Sequence, residues 1–269
     1  MTAEAVRQHR IGSEGRGIGM KFLSDISNVF VREMTPVLRE PLGLVFSMVQ
    51  PLLFLFLFGP LLGGAGEFGG TSAWQWFVPG VLILMCLFGP MMAGYNLLVE
   101  LMGGSMERML VTPVNRTAML IGRTLKESLV LLVQAVLIIA LALPLGFQFY
   151  PLGVLVGLAL LVVLGVGLGG LSFALAILAH PSGQLFYIVT QVGLFPLMLL
   201  SGVLLPIDFG PTWLQVAAKI NPIMHVADAV RALFAGTFAD ISIVYGTLAA
   251  FLVALLGLVV GTRTMRRGI

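Results

Sequence analysis

The chain has 269 residues, of which 58% are hydrophobic and only 10% charged, with a net charge of +3 and a mean hydropathy of +1.04. Soluble domains carry roughly 25% charged residues, so this composition excludes an ordinary globular protein and fits one membrane domain. The positive charge lies beside apolar runs, which favours membrane orientation and anionic lipid over a nucleic-acid partner.

Met1–Met20 is polar and contains glycine, and it reads as a mobile cytoplasmic tail. The first 21 residues lack an apolar h-region, so no cleavable signal peptide is expected. From Phe22 to Arg39, Phe22, Leu23, Ile26, Val29, Phe30, Met34, Val37 and Leu38 recur at helical spacing. Polar residues such as Ser24, Asp25, Asn28 and Arg32 fill the other face. The pattern predicts an amphipathic helix lying in the membrane interface, kinked at Pro36 and closed by Pro41.

Six runs without Asp, Glu, Lys or Arg follow: Leu42–Leu62, Trp74–Leu98, Ser128–Phe147, Leu152–Ala179, Gln184–Leu205 and Ile241–Thr262. Each is near or above the ~20 residues that a helix needs to cross the hydrocarbon core. Thirteen of the fifteen Lys and Arg residues fall on one set of connections, and only Lys219 and Arg231 fall on the other. Positive segments stay inside, so both termini, Glu100–Lys126 and His180–Gly183 are expected to be cytoplasmic. The expected fold is an all-α integral membrane protein with six transmembrane helices. Residues 1–21 form its tail and residues 22–269 a single transmembrane domain.

The connections carry their own signals. Trp74, Trp76 and Phe77 suit an outer aromatic belt. Gln148–Pro151 and His180–Gly183 suit tight turns. Pro206–Asp240 is the longest outer segment, with short helices expected at Trp213–Ile220 and Ile223–Phe234 and a break at Asn221-Pro222. A re-entrant hairpin and a plain surface loop both fit it.

Several motifs point to chemistry that their surroundings deny. Gly165, Gly167 and Gly170 match G-x-G-x-x-G, yet they sit within a continuous apolar run. Close helix packing through Gly153-x-x-x-Gly157 and Gly165-x-x-x-Gly169 accounts for them better than a dinucleotide site. No Gly-Lys pair occurs, so no P-loop exists and ATP chemistry is not expected on this chain. His9, His180 and His225 lack metal spacing, and Cys86 stands alone. His225, Asp228 and Arg231 share a helix face, where an intrahelical salt bridge is a simpler reading than a proton relay. Gln50, Tyr95, Asn96, Gln134, Thr190 and Gln191 are the polar side chains that could line a substrate path. Together with Ser172 they could equally bond helix to helix.

Glu100–Lys126 holds the most specific local pattern. Gly103 and Gly104 interrupt the second run, Ser105 can cap a new helix, and Glu107 lies in its first turn. Met106–Thr112 can make about two turns before Pro113, with Asn115 able to cap the next helix. A short helix held at the inner ends of two spans is a lever on which a soluble partner can push.

Met106-Glu107-Arg108-Met109-Leu110-Val111-Thr112-Pro113-Val114-Asn115-Arg116 with Ile121-Gly122-Arg123 resembles the coupling segment of the type-two ATP-binding-cassette exporter permeases, daunorubicin-resistance-like branch. Three other stretches are similar, in order along the chain. They are Val78-Pro79-Gly80; Phe195-Pro196-Leu197 with Ser201-Gly202-Val203-Leu204-Leu205-Pro206; and Asn221-Pro222 with Asp228-Ala229-Val230-Arg231-Ala232-Leu233. The family usually has charged residues before the coupling glycine, where this chain has Leu101-Met102-Gly103; Glu100 stands in one step out of register.

The resemblance implies a permease in a bacterial plasma membrane, exporting a lipophilic or amphipathic drug, antibiotic or lipid. ATP and Mg would belong to a separate ATPase subunit, and a second permease copy, identical or related, would complete the path. Gly104, Ser105, Met106, Glu107, Arg108, Met109, Leu110 and Pro113 would couple the two subunits. A lipid-linked polysaccharide exporter of the same family stays open as an alternative. An ion-coupled secondary transporter is a further alternative, but its usual intramembrane ionisable groups are missing from the six runs. A membrane enzyme would need a convergent acid, base or metal set, which is also missing.

Overall fold

The computed structural model describes residues 3–59, 72–104, 116–203 and 206–267, and among them every regular element is helical. In chain order these are α1 (Ala3–Arg39), α2 (Pro41–Leu53, running on as a π-helical turn through Phe58), α3 (Ala73–Met102), α4 (Arg116–Ala142) and α5 (Pro151–Ala179). Then come α6 (Gln184–Leu199), α7 (Thr212–Ile220), α8 (Pro222–Phe234) and α9 (Ile241–Arg267). Helices of the third, fourth, fifth and ninth positions are long and apolar enough to cross a membrane.

The two other expected spans take a different form. The 21–39 part of α1 and the 42–58 stretch meet at a 78° bend. Glu40 leaves the helical region there (φ −122°, ψ 70°), and Pro41 opens α2. The fifth run ends early, at Leu199, with a π-helical turn over Val189–Gly193. A proline lies close to each π-helical turn, Pro51 before Phe54–Phe58 and Pro196 after Val189–Gly193. A proline withholds an N–H from the helix ladder, and the register shifts nearby.

Within the stretch expected to be a tail, α1 is helical from Ala3. Ala3, Glu4, Ala5, Arg7 and Gln8 are mostly strong helix formers. Along its second half, α1 lies against the start of α4. Val29 is buried, and its side chain meets Gly122, where an added Cβ would stand 2.8 Å from Val29 Cγ1. Leu23, Val31 and Leu38 stay exposed on the other side, as an interfacial helix requires.

α3 is the most enclosed helix, burying Phe77, Val78, Val81, Leu82, Ile83, Cys86 and Leu87. The most extensive helix pairing is α5 with α9. It is made backbone to backbone by Gly167 and Gly170 against Gly257 and Gly261. That differs in register from the expected Gly165-x-x-x-Gly169 contact. Gly165 and Gly169 meet only ordinary neighbours, at 3.6 Å and beyond. Gly153 and Gly157 do make a close contact, with Leu233 and Phe234 of α8.

In the 206–240 segment α8 is buried, whereas α7 leaves Trp213, Val216 and Ile220 exposed. α8 packs on α3, α5 and α9, with Ile223, Val226, Ala227, Val230, Leu233 and Phe234 enclosed. A plain surface loop would leave these side chains in water.

Candidate functional site

Two polar constellations mark the ends of the bundle, and a cavity runs from one of them toward the middle. At the end opposite the basic segments, Arg231 of α8 is buried. Its guanidinium donates to the Gly202 carbonyl at 2.8 Å and the Val203 carbonyl at 3.5 Å. It stacks 3.6 Å above the Trp76 ring and reaches the Trp76 carbonyl at 3.4 Å. The Asp228 carboxylate accepts from it at 3.5 Å, so the expected intrahelical bridge forms but is the longest-reach part of a tertiary site. Burial lowers the Arg231 pKa to about 10, and the Asp228 carboxylate opposes that shift.

His225 takes no part in a relay with Arg231. Its Nε2 lies 2.9 Å from the Lys219 carbonyl, and its ring faces Tyr245. Gly80 passes so close to Val203 that a Cβ would stand 2.7 Å from the Val203 carbonyl oxygen. Asn221 caps α8 by accepting from the Ile223 N–H at 3.0 Å, and its Nδ2 donates to the Leu197 carbonyl at 2.8 Å. Val78-Pro79-Gly80, the 195–203 stretch and the 221–233 stretch are separated in sequence, yet they meet here.

Gln75, which the sequence reading did not single out, completes this end. It is buried, donates to the Gln148 and Phe234 carbonyls at 3.0 and 2.6 Å, and accepts from the Gln148 N–H at 3.0 Å. One amide thereby ties α3, the 143–150 turn and α8. A buried amide needs such partners to offset its lost hydration.

At the basic end, Arg123 of α4 is 4% exposed and binds two carboxylates, Glu100 of α3 at 2.5 Å and Glu33 of α1 at 3.2 Å. This junction links three helices just before Gly103 and Gly104. Arg116 adds a fourth, donating to the Arg266 carbonyl of α9 at 3.2 Å. Gly104 has φ +67°, a left-handed conformation that glycine adopts without penalty, and no other atom lies near its missing Cβ. The remaining coupling residues, Ser105, Met106, Glu107, Arg108, Met109, Leu110 and Pro113, lie outside the described residues.

A cavity of about 540 Å³ opens between the α1–α2 elbow, α3 and α4. Gln50, Asn96 and Gln134 line it, with Glu40, Lys126 and Glu127 toward the basic end and Phe54, Leu84 and Leu131 deeper in. Gln134 is buried and donates to Ser47 Oγ at 2.7 Å. Tyr95, Thr190 and Gln191 are not brought to this cavity. Tyr95 is half exposed beside Phe186, and Thr190 bonds back to the Phe186 carbonyl at 2.8 Å. Gln191 is exposed on α6. Ser172 is enclosed where α5 touches Gly94 of α3, a packing position.

Residues 25–235 match the family model described as ABC-2 type transporter. The putative transport permease ycf38 of Pyropia yezoensis is 30% identical over 220 residues, covering 79% of this chain and 74% of the relative. The daunorubicin resistance ABC transporter permease protein DrrB1 of Streptomyces coeruleorubidus is 28% identical, covering 79% of this chain and 76% of the relative. The probable multidrug ABC transporter permease YbhR of Escherichia coli K12 is 28% identical over 67% of this chain and 49% of its own length.

Proposed function

We infer how this protein works from one fact: the chain belongs to the ABC-2 type transporter family. It is a multi-pass transmembrane permease of an ATP-binding-cassette exporter, and ATP hydrolysis falls to a partner ATPase. Beyond that, we propose that the basic end faces the cytoplasm of a bacterial cell, with both termini there, because positive connections stay inside. The substrate in this reading is lipophilic or amphipathic. It moves along a path completed by a second permease copy, with Gln50, Tyr95, Asn96, Gln134, Thr190 and Gln191 as lining candidates.

Coupling in this reading runs through residues 104–113. A load on Met106, Glu107, Arg108, Met109 and Leu110 reaches α3 through Gly104 and Ser105, and passes to α1 and α4 through Glu100, Arg123 and Glu33. The single observation that supports this is the buried Arg123 junction standing directly behind the Gly103–Gly104 turn. Interfacial charges tune specificity more than affinity, so Glu107 and Arg108 set orientation while Met106, Met109 and Leu110 supply apolar contact.

A single cysteine tests orientation and docking together. Ser105→Cys, in a Cys86→Ala background, is expected to react in whole cells with a permeant maleimide but not with an impermeant one. Co-expressed ATPase is expected to protect it. Glu107→Lys or Met109→Asp should leave the protein inserted while abolishing substrate-stimulated ATP hydrolysis. Labelling of Ser105→Cys from outside would reverse the topology, and full export by both variants would remove this segment from coupling.

A further inference from the structure

The cavity beside the α1–α2 elbow is not uniformly apolar, and the order of its lining residues states what it would hold. Its deep part is hydrocarbon: Leu44, Phe54, Leu84, Phe88 and Leu131. Its mouth at the basic end carries Glu40, Lys126 and Glu127. Lys126 is already bonded to Glu127 at 2.5 Å, whereas Glu40 is exposed and has no ion-pair partner among the described residues. Arg39, the neighbour of Glu40, is not among the lining residues.

A small recess adjoins the cavity and shares Asn96, Lys126 and Glu127 with it, adding Glu33, Glu100 and Arg123. The combined charge is therefore four carboxylates against two basic groups, at an end of the protein that is otherwise basic. Between the charged mouth and the apolar depth stands Gln134. Its Nε2 donates to Ser47 Oγ at 2.7 Å, which leaves the amide a second N–H and its acceptor oxygen. Opposite-charge complementarity decides which partner is admitted and which is repelled.

Gly43 of α2 and Gly89 of α3 also line the cavity, and an added Cβ at either would meet nothing within 4 Å. The space is open at both places. Its volume falls within the roughly 300–1,000 Å³ of sites that enclose a drug-sized ligand.

We propose that this cavity is a binding site for a cationic amphiphile taken laterally from the inner leaflet, its ammonium head at the Glu40 mouth and its apolar body against the deep wall. The proposal rests on the permease reading and deepens it by naming the head-group charge. An anionic lipid of equal chain length meets net repulsion at the same mouth.

The test uses the full chain co-expressed with its ATPase, in isolated membranes, and two diazirine probes of equal chain length, one a hexadecylamine and one a palmitic acid. The amine is expected to label the α2, α3 and α4 walls, and labelling by the acid to be about two- to fivefold weaker, the ratio that one exposed charge pair sets. Glu40→Lys should invert that preference. Gly43→Phe, whose Cβ meets no neighbour within 4 Å, should abolish labelling by both while leaving expression and ATPase copurification unchanged.

Equal labelling by both probes, or undiminished labelling of Gly43→Phe, overturns the cation assignment while copurified ATPase still upholds the permease reading. Absence of probe labelling, with Gly43→Cys forming a disulfide between two permease copies, also overturns it and assigns the face to the second copy. Loss of ATPase copurification from the unmodified chain is the separate result that would bring down the permease reading itself.

Discussion

Replacing Gly257 with alanine tests whether the α5–α9 seam holds the bundle. A methyl group there would fall on the Gly167 carbonyl oxygen, and Gly167 C and Cα would lie 2.6 and 2.7 Å away. Carbon atoms rest about 3.5–4.0 Å apart, so the helices must part by about 1 Å, and a gap of that size forfeits a quarter to a half of each contact's attraction. Helices in lipid gain no hydrophobic term from meeting, so packing of this kind is what joins them. Overpacking of a tight contact costs about 1–3 kcal/mol, whereas alanine in place of a mid-helix glycine returns about 1 kcal/mol. The net expectation for Gly257→Ala is a loss of about 0–2 kcal/mol. Gly165→Ala meets Cys86 Sγ and Leu131 Cδ2 at 3.6 Å, which is ordinary contact. Only the propensity gain then remains. Thermal midpoints of the purified chain in one detergent, followed by tryptophan fluorescence, read the difference directly. The Gly257→Ala midpoint should lie about 2–12 °C below that of Gly165→Ala, taking about 2–4 °C per kcal/mol for a chain of this size, and Gly165→Ala should not fall. Equal midpoints for the two variants would refute the register of this seam.

Arg231→Met should lower the same midpoint by an amount equivalent to about 2 kcal/mol. Charged hydrogen bonds and a buried cation–π contact are lost, and part of the desolvation cost is recovered; an unchanged midpoint would show that this end is held by packing alone. Arg123→Gln should also cost about 2 kcal/mol, below the 3–5 kcal/mol of a fully buried broken pair. The reason for the discount is that the Glu100 and Glu33 side chains keep 32% and 19% exposure. Its distinguishing readout is export at a temperature where the protein remains folded: export should drop well beyond the loss of folded protein, and proportional loss of the two would leave Arg123 a structural residue.

Charge distribution and run length were enough to read the membrane class, the four long spans and the two short helices around Asn221-Pro222. These signals are local in sequence, and each follows from hydration of charge or from a proline's missing donor. The seam between α5 and α9 was not legible in the same way. α5 is apolar on every side, so no face of it announces a partner, and Gly165, Gly167, Gly169 and Gly170 look alike until α9 is placed. The tertiary partners of Arg123 and Arg231 were hidden for a related reason. A basic residue near a span satisfies the orientation rule by itself, and nothing nearby in sequence reveals that Glu33 and Glu100, or Gly202 and Trp76, lie at its end. The early end of the fifth run had a sequence signal in Pro196, but a proline is tolerated inside membrane helices, as Pro79 and Pro90 of α3 show.

The two ends of the bundle are built from different kinds of bond, and that difference bears on how a transporter can move. Around Arg231, Gln75 and Asn221 the partners are carbonyls of the chain itself, enclosed and short of alternatives. Releasing any of them strands a buried polar group, which costs about 1–3 kcal/mol, and more where the group is charged. Around Arg123 the partners are carboxylates on side chains with part of their surface in solvent. Either carboxylate can exchange Arg123 for water at a fraction of that cost, while Arg123, 4% exposed, needs one of the two to stay. In the proposed coupling, motion delivered at residues 105–115 meets this more exchangeable end first. Gly103 and Gly104 let the chain turn there, while Glu100 and Glu33 divide a single guanidinium between α3 and α1. The cavity mouth at Lys126 and Glu127 lies beside that shared guanidinium, so a shift of either helix changes the head-group end of the cavity before it reaches the stitched end beyond.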